Sequence, residues 1–471
     1  MALFNSLIND INTFLWSYIL IVLLIGCGLY FTISTRLVQL RLLPEMLRVL
    51  TDGIGHRPKD NAISSFQAFC ISTASRVGVG NIAGVAIAIV TGGPGAVFWM
   101  WVIAFIGCAT GFIESTLAQI YKLPRNNGTF HGGPAYYIQN ALRQPKIAKL
   151  FAILLSVTFG LIYSSVQANT IALSLQNAFG IAPLVTAIIL FILTGLVIFG
   201  GMTRIAKFTE FLVPIMATLY ILTAFIIILL NLTEVPAMLF LIIHDAFSPQ
   251  AAVGGGLGSA VITGVKRGLF SNEAGEGSVP NAAATATVSH PVKQGLIQSF
   301  GVYVDTWIVC SASAFIILLT NQYTIGGSLT GIALAQASLA SIFGALAPIA
   351  VAIMIMLFAF SSIVGNYYYG EINIAFFEGN TKLYLIIFRL LVVAMVAFGS
   401  LAELSLVWNL ADLFMGCLCL TNLYAIVKLS SYANIALNDY VKQLKQGTAE
   451  PKFNPDILPD TTGIHAWGID K

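Results

Sequence analysis

Hydrophobic residues occur along this chain in long runs, which short polar or charged stretches separate. A helix that crosses a bilayer needs about 20 consecutive apolar residues, and the pattern contains about eleven such runs. The predicted spans are 14–34, 62–91, 95–121, 148–177, 183–201, 208–231, 251–285, 293–320, 345–369, 382–400 and 405–428. A further apolar segment at 326–341 is too short to cross, so we interpret it as a re-entrant or surface-lying helix. The pattern therefore predicts an all-α polytopic membrane protein.

Two of the predicted spans contain polar and glycine-rich runs at a depth where a spanning helix is normally apolar. The first run covers residues 72–81 and the second covers residues 264–278. In hydrocarbon, an interrupted backbone persists only where protein or a wet cavity surrounds its unpaired peptide groups. A pair of interruptions in corresponding positions of two halves indicates the binding site of a secondary transporter. The chain is therefore predicted to contain two broken helices and to transport a polar solute.

The predicted spans divide into one extra helix and two sets of five. We expect an extra N-terminal helix with a basic loop at 1–61, a first repeat at 62–231, a second repeat at 251–429 and a polar tail at 430–471. An odd number of spans in each half inserts the two halves with opposite orientations, and each half begins with its broken helix. The predicted architecture is a 5+5 inverted repeat with one added helix.

Composition and charge support a membrane location and fix an orientation. Of the 471 residues, 57% are hydrophobic and 9% are charged, whereas soluble domains have about 25% charged residues. The loops predicted on one side carry the basic residues, among them Arg48, Lys122 and Lys293, and the opposite loops carry only acids such as Asp245 and Glu403. The positive-inside rule then places the amino terminus outside and the carboxyl tail in the cytoplasm. We expect a multi-pass protein of the plasma membrane, the inner membrane of a bacterium.

Other functional classes fit the sequence less well. The six cysteines lie within predicted helices and lack metal-ligand spacing, so we predict neither a disulfide framework nor a metal centre of that kind. No Ser/His/Asp set indicates an intramembrane enzyme, so no catalytic residue is expected. A passive channel usually places rings of like residues around a pore of symmetric subunits, and two internal broken helices argue against it.

The first break offers backbone groups of both signs. The half-helix after the break presents free amides toward a ligand, from Val79, Gly80 and Asn81. Gly78 has no side chain to block a ligand's approach to the backbone. The carbonyls around Ala74 and Val77 lose their helical partners and are suited to a small cation. Glycines can also serve close helix packing, but we interpret this run as a binding segment.

The second break carries hydrogen-bonding side chains and carboxylates, from Ser271, Asn272, Glu273 and Glu276. Carboxylates within a membrane are functional candidates by default. Basic residues lie close in sequence or could approach, namely Lys266, Arg267 and Arg76. Two interpretations of the carboxylates therefore stay open: contact with a ligand, or an ion-pair network that holds the broken helices and could act as a gate.

Polar side chains in other spans are also candidates. Gln167 lies near the middle of its span, where its amide could bind a ligand or form a helix-to-helix hydrogen bond, and both interpretations stay open. Ser361 and Ser362 supply adjacent hydroxyls in an apolar span. Serines within helices often bond their own carbonyls, so position alone does not assign them to a cation.

Several longer motifs resemble a known family. They are Phe-Ser-Asn-Glu-Ala-Gly at 270–275, His-Pro-Val-Lys-Gln-Gly at 290–295, Gly-Val-Gly-Asn-Ile-Ala-Gly-Val-Ala at 78–86, Gly-Gly-Pro-Ala-Tyr-Tyr-Ile at 132–138, Phe-Ser-Ser at 360–362 and Tyr-Tyr-Gly-Glu at 368–371. From about residue 62 to 420 the chain resembles the alanine or glycine:cation symporter family, the sodium:alanine symporters. The resemblance implies a leucine-transporter-like fold with an extra amino-terminal helix. It also implies sodium-coupled uptake of a small neutral amino acid such as alanine, glycine or serine.

The resemblance also implies roles for individual residues. The predicted substrate contacts are Thr73, Val79, Gly80, Asn81, Gln167, Ser271, Asn272 and Gly275. The predicted sodium ligands are the carbonyls of Ala74, Val77 and Phe358 with the hydroxyls of Ser361 and Ser362. Sodium is then the coupling ion, and we expect no other cofactor, no nucleic-acid partner and a monomer in the bilayer.

Two positions depart from the family pattern. Family members commonly carry Thr where this chain has Val79, and Trp where it has Asn366. A lost hydroxyl could change a sodium or substrate contact, and a lost indole could widen the pocket or make it more polar. The alternatives are a larger neutral substrate such as glutamine, or coupling to protons instead of sodium.

Overall fold

A computed structural model describes residues 2–54, 62–125, 128–200, 202–248, 258–377 and 381–468. The α-helices of these residues are Ala2–Phe14, Ile21–Ser34, Val38–Arg41, Leu43–Gly53, Ser65–Arg76, Val85–Gly92, Gly95–Ile120, Pro134–Asn140, Pro145–Leu155, Ser164–Phe179, Pro183–Ile198, Met202–Leu230, Val235–Ala246, Ser259–Asn272, Val279–Thr285, Pro291–Val302, Ser311–Thr320, Gly331–Phe343, Ala347–Ile374, Thr381–Leu401 and Leu404–Lys445. Wider π-helical turns at Leu15–Leu20, Gly80–Gly84, Ser156–Tyr163 and Tyr303–Cys310 connect several of them. Two short strands, Leu123–Pro124 and Phe130–His131, pair in antiparallel fashion.

The described residues contain 8 helices long and apolar enough to cross a membrane, or up to 9 when one bent pair counts as a span. The all-α polytopic prediction is therefore confirmed, whereas the count of about eleven spans is not. Two predicted spans fall short for clear reasons: Pro183–Ile198 has only 16 residues, and the span predicted at 251–285 is divided into short helices. The first residues of that span, 251–257, lie outside the described residues.

The first broken helix comprises Ser65–Arg76 and Gly80–Gly92, which meet at an angle of 49°. The interruption is shorter than the predicted run at 72–81, because residues 72–76 remain helical and only residues 77–79 separate that helix from the helical turn that begins at Gly80. Ser72 is hydrogen-bonded without unwinding: its hydroxyl lies 2.8 Å from the Phe69 carbonyl oxygen and 2.6 Å from Gln298 Oε1. Polar residues in a span thus indicate a break less sharply than the glycines beside them.

The second broken helix comprises Ser259–Asn272 and Val279–Thr285, separated by residues 273–278. Its backbone turns through left-handed conformations at Glu273, Gly275 and Gly277, with φ of 58°, 99° and 79°. The predicted interruption at 264–278 is again too long at its start. Gly268 instead packs against the Gly95–Ile120 helix, where an added Cβ would lie 2.6 Å from Ile103 Cγ2. That glycine serves close helix packing.

Two other predicted segments are helical over different ranges. The segment expected at 326–341 forms the helix Gly331–Phe343, which leads through a short 3₁₀ turn into Ala347–Ile374. We call Ala347–Ile374 the serine helix, because it carries Ser361 and Ser362. The last predicted span, 405–428, continues to Lys445, and we call Leu404–Lys445 the long C-terminal helix.

The basic loops predicted to share a side of the membrane do lie together. Tyr440 donates a hydrogen bond to Glu45 at 2.6 Å, and Lys293 Nζ lies 3.2 Å from Glu450 Oε1. We call this side the tail face, since residues 449–468, the tail segment, lie on it. Loops predicted for the other side meet away from these contacts, as where Asp245 accepts a hydrogen bond from the Gly95 amide at 2.8 Å.

Candidate binding site

Oxygen atoms from the first broken helix and the serine helix converge at Ser362. The Ser362 hydroxyl lies 2.9 Å from the carbonyl oxygen of Ala74, 3.4 Å from that of Val77 and 3.1 Å from that of Phe358. The Ser361 hydroxyl lies 2.8 Å from the same Phe358 oxygen. The structure therefore gathers the five residues that were predicted to bind sodium into one buried cluster.

The break explains why these carbonyls are available. In a continuous helix the amide of Gly78 would bond to the carbonyl of Ala74. Here the Gly78 amide donates instead to Asn81 Oδ1 at 3.0 Å, so the Ala74 oxygen is free to meet Ser362. The Ser362 hydroxyl also bonds the Phe358 carbonyl of its own helix, as serines within helices often do. It is therefore both an ordinary helix serine and a member of the oxygen cluster.

Gln167 reaches the middle of the first break from the Ser164–Phe179 helix. Its Oε1 accepts a hydrogen bond from the Val79 amide at 3.1 Å. An added Cβ on Gly78 would lie 2.9 Å from the same Oε1, and it would also overlap Ser362 Oγ. Gly78 is therefore confined between the glutamine and the oxygen cluster, which joins the two halves of the candidate site.

A second polar cluster lies where the two broken helices meet. Asn81 Nδ2 lies 3.0 Å from Ser271 Oγ and also donates to Asp305, and the Ser271 hydroxyl donates to the other Asp305 oxygen. Asp305 accepts a further hydrogen bond from Thr306 at 2.9 Å. Its carboxylate is fully buried, and among the described residues its partners are amide and hydroxyl groups and no ion pair includes it.

Sequence reasoning did not assign Asp305 to the site. The carboxylate reaches it because the π-helical turn Tyr303–Cys310 passes beside both broken helices. A signal was present, since an acid within a membrane span is a functional candidate. The fold was needed to bring it next to Asn81 and Ser271, residues far from it in sequence.

The remaining predicted contacts lie apart from these clusters or face them less directly. Asn272 is engaged in its own break, where Oδ1 accepts from the Ala274 amide at 3.0 Å and Nδ2 donates to Thr306 at 3.3 Å. The Gly275 amide donates a hydrogen bond to the Glu114 carboxylate at 3.3 Å. Thr73 is buried, and its hydroxyl has no hydrogen-bond partner among the described residues. Asn272 and Gly275 thus shape the second break, and Asn272 is linked to Asp305 through Thr306.

The basic residues before the second break do not pair with its acids. Lys266 Nζ lies 3.4 Å from Asp412 of the long C-terminal helix, and Arg267 binds the same carboxylate. Glu273 accepts hydrogen bonds from hydroxyl groups, at 2.7 Å from Ser75 and 2.6 Å from Ser278. Glu276 accepts one from Tyr163 at 3.0 Å. An ion-pair network is therefore present, but its acid is Asp412 and not Glu273 or Glu276. The network joins the second broken helix to the long C-terminal helix.

A layer of aromatic rings covers the break on the side away from the tail face. The Phe270 ring centre lies 4.7 Å from that of Tyr163 and 4.7 Å from that of Trp408. Phe270 also touches the break, since a Cβ on Gly80 would lie 2.8 Å from its Cδ1. Beyond Trp408 a cavity of about 520 Å³ opens, lined by Lys266, Arg267 and Asp412 among others. The layer therefore separates this cavity from the Gly78–Asn81 segment.

Comparison with known proteins places the chain in a family. Residues 1–455 match the family described as the sodium:alanine symporter family. The chain is 52% identical to the probable sodium/glutamine symporter GlnT of Bacillus subtilis (strain 168), over 99% of this chain and 96% of that protein. It is 38% identical to the sodium/alanine symporter AgcS of Methanococcus maripaludis, over 91% of this chain and 95% of that protein.

A solved structure supports the fold. A mutant of the Eremococcus coleocola manganese transporter superposes with a TM-score of 0.51 at 12% identity, over 83% of this chain and 90% of that chain. This likeness concerns the fold alone, and it agrees with the leucine-transporter-like architecture expected from the motifs. Since the family match covers nearly the whole chain and the relatives are transporters matched over most of their length, this chain is a membrane transporter of the sodium:alanine symporter family.

Proposed function

We propose that this protein is a secondary active symporter that couples the uptake of a neutral amino acid to inward sodium flow by alternating access. The observation that carries the proposal is the position of Ser362 Oγ within 3.4 Å of carbonyl oxygens from both sides, Ala74 and Val77 in the break and Phe358 in the serine helix. Hydroxyl and carbonyl oxygens are the ligands that hard cations prefer. A sodium ion bound there would tie the break to the serine helix.

Sodium binding would assist substrate binding through the same segment. The proposed ion ligands Ala74 and Val77 precede Gly78, whose amide donates to Asn81, and Val79, whose amide donates to Gln167. Fixing those residues in place reduces the conformational entropy that a substrate would otherwise have to remove. Because such coupling is reciprocal, the substrate would raise the affinity for sodium by the same factor.

The two charged groups of an amino acid have complementary partners in the proposed site. A substrate carboxylate would take the place of Gln167 Oε1 at the Val79 amide, with the Gln167 side chain turning its Nε2 toward it. The buried Asp305 carboxylate, beside Asn81 and Ser271, would attract the substrate ammonium. We therefore add Asp305 to the proposed substrate contacts.

Substrate size is the least constrained part of the proposal. The relative that is 52% identical is described as a probable glutamine symporter, whereas the family description and AgcS refer to alanine. We propose a neutral amino acid in the range from alanine, glycine and serine to glutamine. Val79 and Asn366, the positions expected to differ from the family pattern, are the residues we propose to influence substrate size.

The proposed orientation places the tail face in the cytoplasm and the amino terminus outside. Basic residues such as Arg48, Lys122 and Lys293 support it through the positive-inside rule. The two repeats at 62–231 and 251–429 would then be inverted copies, and each begins with a broken helix. We propose a monomer in the inner membrane of a bacterium.

Uptake into proteoliposomes tests the proposal directly. Labelled alanine and glutamine are each offered with sodium higher outside, with potassium in its place, or with a proton gradient alone. We expect accumulation above the outside concentration only with the sodium gradient. Accumulation driven by protons alone would replace sodium by protons as the coupling ion, and equilibration without accumulation would indicate a passive pathway. Competition by a panel of L- and D-amino acids then ranks the substrates.

A further inference from the structure

The tail segment folds back onto the protein and makes specific contacts. The Phe453 amide donates to the Ser289 carbonyl at 3.0 Å, and its ring, which is 8% exposed, lies 5.3 Å from the His290 ring. Trp467 lies 5.1 Å from Phe453, centre to centre, and its Nε1 donates to the Gln119 carbonyl at 2.9 Å. Two aromatic anchors thus attach the tail at separate points.

Phe453 contacts the chain just after the second broken helix directly, and Trp467 reaches it through Gln119 and Lys122. The carbonyl oxygen of Ala286, just after Val279–Thr285, accepts from Gln119 Nε2 at 2.9 Å and from Lys122 Nζ at 2.9 Å. Lys122 is fully buried in turn, with Nζ 4.8 Å from the centre of the Trp467 ring. Phe453 covers Ser289 and His290, three and four residues further along the chain. The tail is therefore linked to the connection that follows the second broken helix at two points, at Ser289 and His290 directly and at Ala286 through Gln119 and Lys122.

The same connection is joined to the start of the first broken helix. The amide of Thr287 donates to the carbonyl of Ile63 at 3.0 Å, and Ile63 pairs with Ala286 as an isolated parallel bridge. Ile63 lies two residues before the helix that carries Ala74 and Val77. A single short bridge thus links the tail-face ends of both broken helices, and the tail segment lies over one side of it.

We propose that the tail segment is a latch that holds the tail-face ends of the two broken helices together and must loosen before that face opens. The inference rests on the proposed function, since alternating access requires those ends to separate. An ordinary surface tail would be held by exposed charges, such as the pair between Arg143 and Asp460 at 3.5 Å, which contribute little. Here the attachment uses the buried ring of Phe453, the half-buried ring of Trp467 and hydrogen bonds to backbone carbonyls.

Hydrogen–deuterium exchange of the full chain in lipid nanodiscs tests the latch without transport. Three variants are compared with the parent: Trp467→Ala and Phe453→Ala remove the anchors, and His465→Ala changes an exposed neighbour as the matched control. We expect each anchor variant to speed exchange of the amides in residues 63–70 by about fivefold or more, the lower end of typical coupling between two sites. The control should leave that exchange unchanged. Trp467→Phe, which keeps a ring but cannot donate to Gln119, is used if Trp467→Ala does not remain monodisperse.

Two outcomes would overturn the latch. Faster exchange in the tail segment with unchanged exchange at 63–70 would make the tail a passive cover. Unchanged exchange in both regions would mean that the two rings do not hold the tail. Because the exchange is measured without amino acid, failure of sodium-driven uptake in proteoliposomes would count against the proposed function and not against the latch.

Discussion

Gln167 Oε1 accepts a hydrogen bond from the backbone amide of Val79 at 3.1 Å, across the first break. This contact occupies one of the amides that the proposal assigns to a substrate carboxylate. The glutamine is therefore positioned to respond to a substrate and to hold the break in its absence.

Replacing Gln167 by Ala should weaken substrate binding. A lost hydrogen bond of this kind corresponds to about 1 kcal/mol, so we expect the KM for uptake to rise about fivefold at saturating sodium. Thr170→Val is the matched control, because Thr170 on the same helix bonds only its own backbone at Val166 among the described residues. An unchanged KM in Gln167→Ala would favour a purely structural helix contact.

Removing the hydroxyl of Ser362 should weaken sodium binding more than removing that of Ser361. Ser362 Oγ meets the carbonyls of Ala74, Val77 and Phe358, whereas Ser361 Oγ meets the Phe358 carbonyl and Met216 Sδ. We expect Ser362→Ala to raise the sodium concentration for half-maximal uptake about tenfold, which corresponds to about 1.4 kcal/mol. Equal sodium dependence in parent and variant would exclude this cluster as the coupling site.

A methyl group at Gly78 should disturb both parts of the site. In Gly78→Ala the added Cβ would lie 2.9 Å from Gln167 Oε1 and overlap Ser362 Oγ. At Gly84, in the helical turn that follows the break, the nearest atom to an added Cβ is Trp408 Cη2 at 3.5 Å, an ordinary contact. We expect Gly78→Ala to reduce uptake more than tenfold, roughly the effect of overpacking by 1–3 kcal/mol, while Gly84→Ala retains it. Similar activity in the two variants would contradict a site at Gly78.

Replacing Asp305 by Asn should weaken substrate binding through loss of charge alone. Asp305→Asn keeps the size of the side chain but removes the negative charge proposed to attract the substrate ammonium. Charged hydrogen bonds contribute about 1.5–3 kcal/mol, so we expect the KM to rise at least about tenfold. Thr306→Val, which removes one donor to Asp305 at 2.9 Å, should have a smaller effect. A parental KM in Asp305→Asn would remove this residue from the substrate site.

The stability of the fold should depend on pH through His290. Burial lowers the pKa of His290 to about 4, although the hydrogen bond to Asp439 opposes the shift and Lys293 adds to it. In the unfolded chain a histidine titrates near pH 6.5, so the unfolded state takes up a proton first as the pH falls. The folded state therefore loses stability between about pH 6.5 and pH 4, and the loss is complete below the folded pKa.

Thermal unfolding at pH 7.5 and pH 5 measures this contribution. The decrease in Tm between the two values should be smaller in His290→Asn than in the parent, because asparagine can accept from the Val292 amide at the helix start but does not titrate. An identical decrease in both proteins would assign the pH dependence to other groups.

The sequence predicted the helical class and the two breaks, because apolar run length and glycine position are local signals. The proposed sodium ligands, which the structure brings together, were expected from the family resemblance and not from these signals. The predicted length of both breaks was too great, because the backbone stays helical at Ser72 and at Gly268. The Ser72 side chain is hydrogen-bonded within the helical structure, and Gly268 allows close packing against a neighbouring helix.

The sequence could not place Asp305 beside Ser271, or pair Arg267 with Asp412, because those contacts depend on how separate helices cross. The predicted number of spans was not confirmed, because one predicted span is a helix of 16 residues and another is divided into short helices. Each is shorter than the roughly 20 residues that a spanning helix needs.

Only three residues, 77–79, separate the Ser65–Arg76 helix from the helical turn that begins at Gly80. The Val77 carbonyl that faces the proposed ion and the Val79 amide that faces the proposed substrate both lie in this short hinge, and Ala74 lies three residues before it. In the proposed cycle, tilting the Ser65–Arg76 half about this hinge would carry the Ala74 oxygen away from Ser362. Release of sodium and opening of the transporter on that side would then occur in the same movement. Sodium would have little opportunity to cross the membrane without substrate.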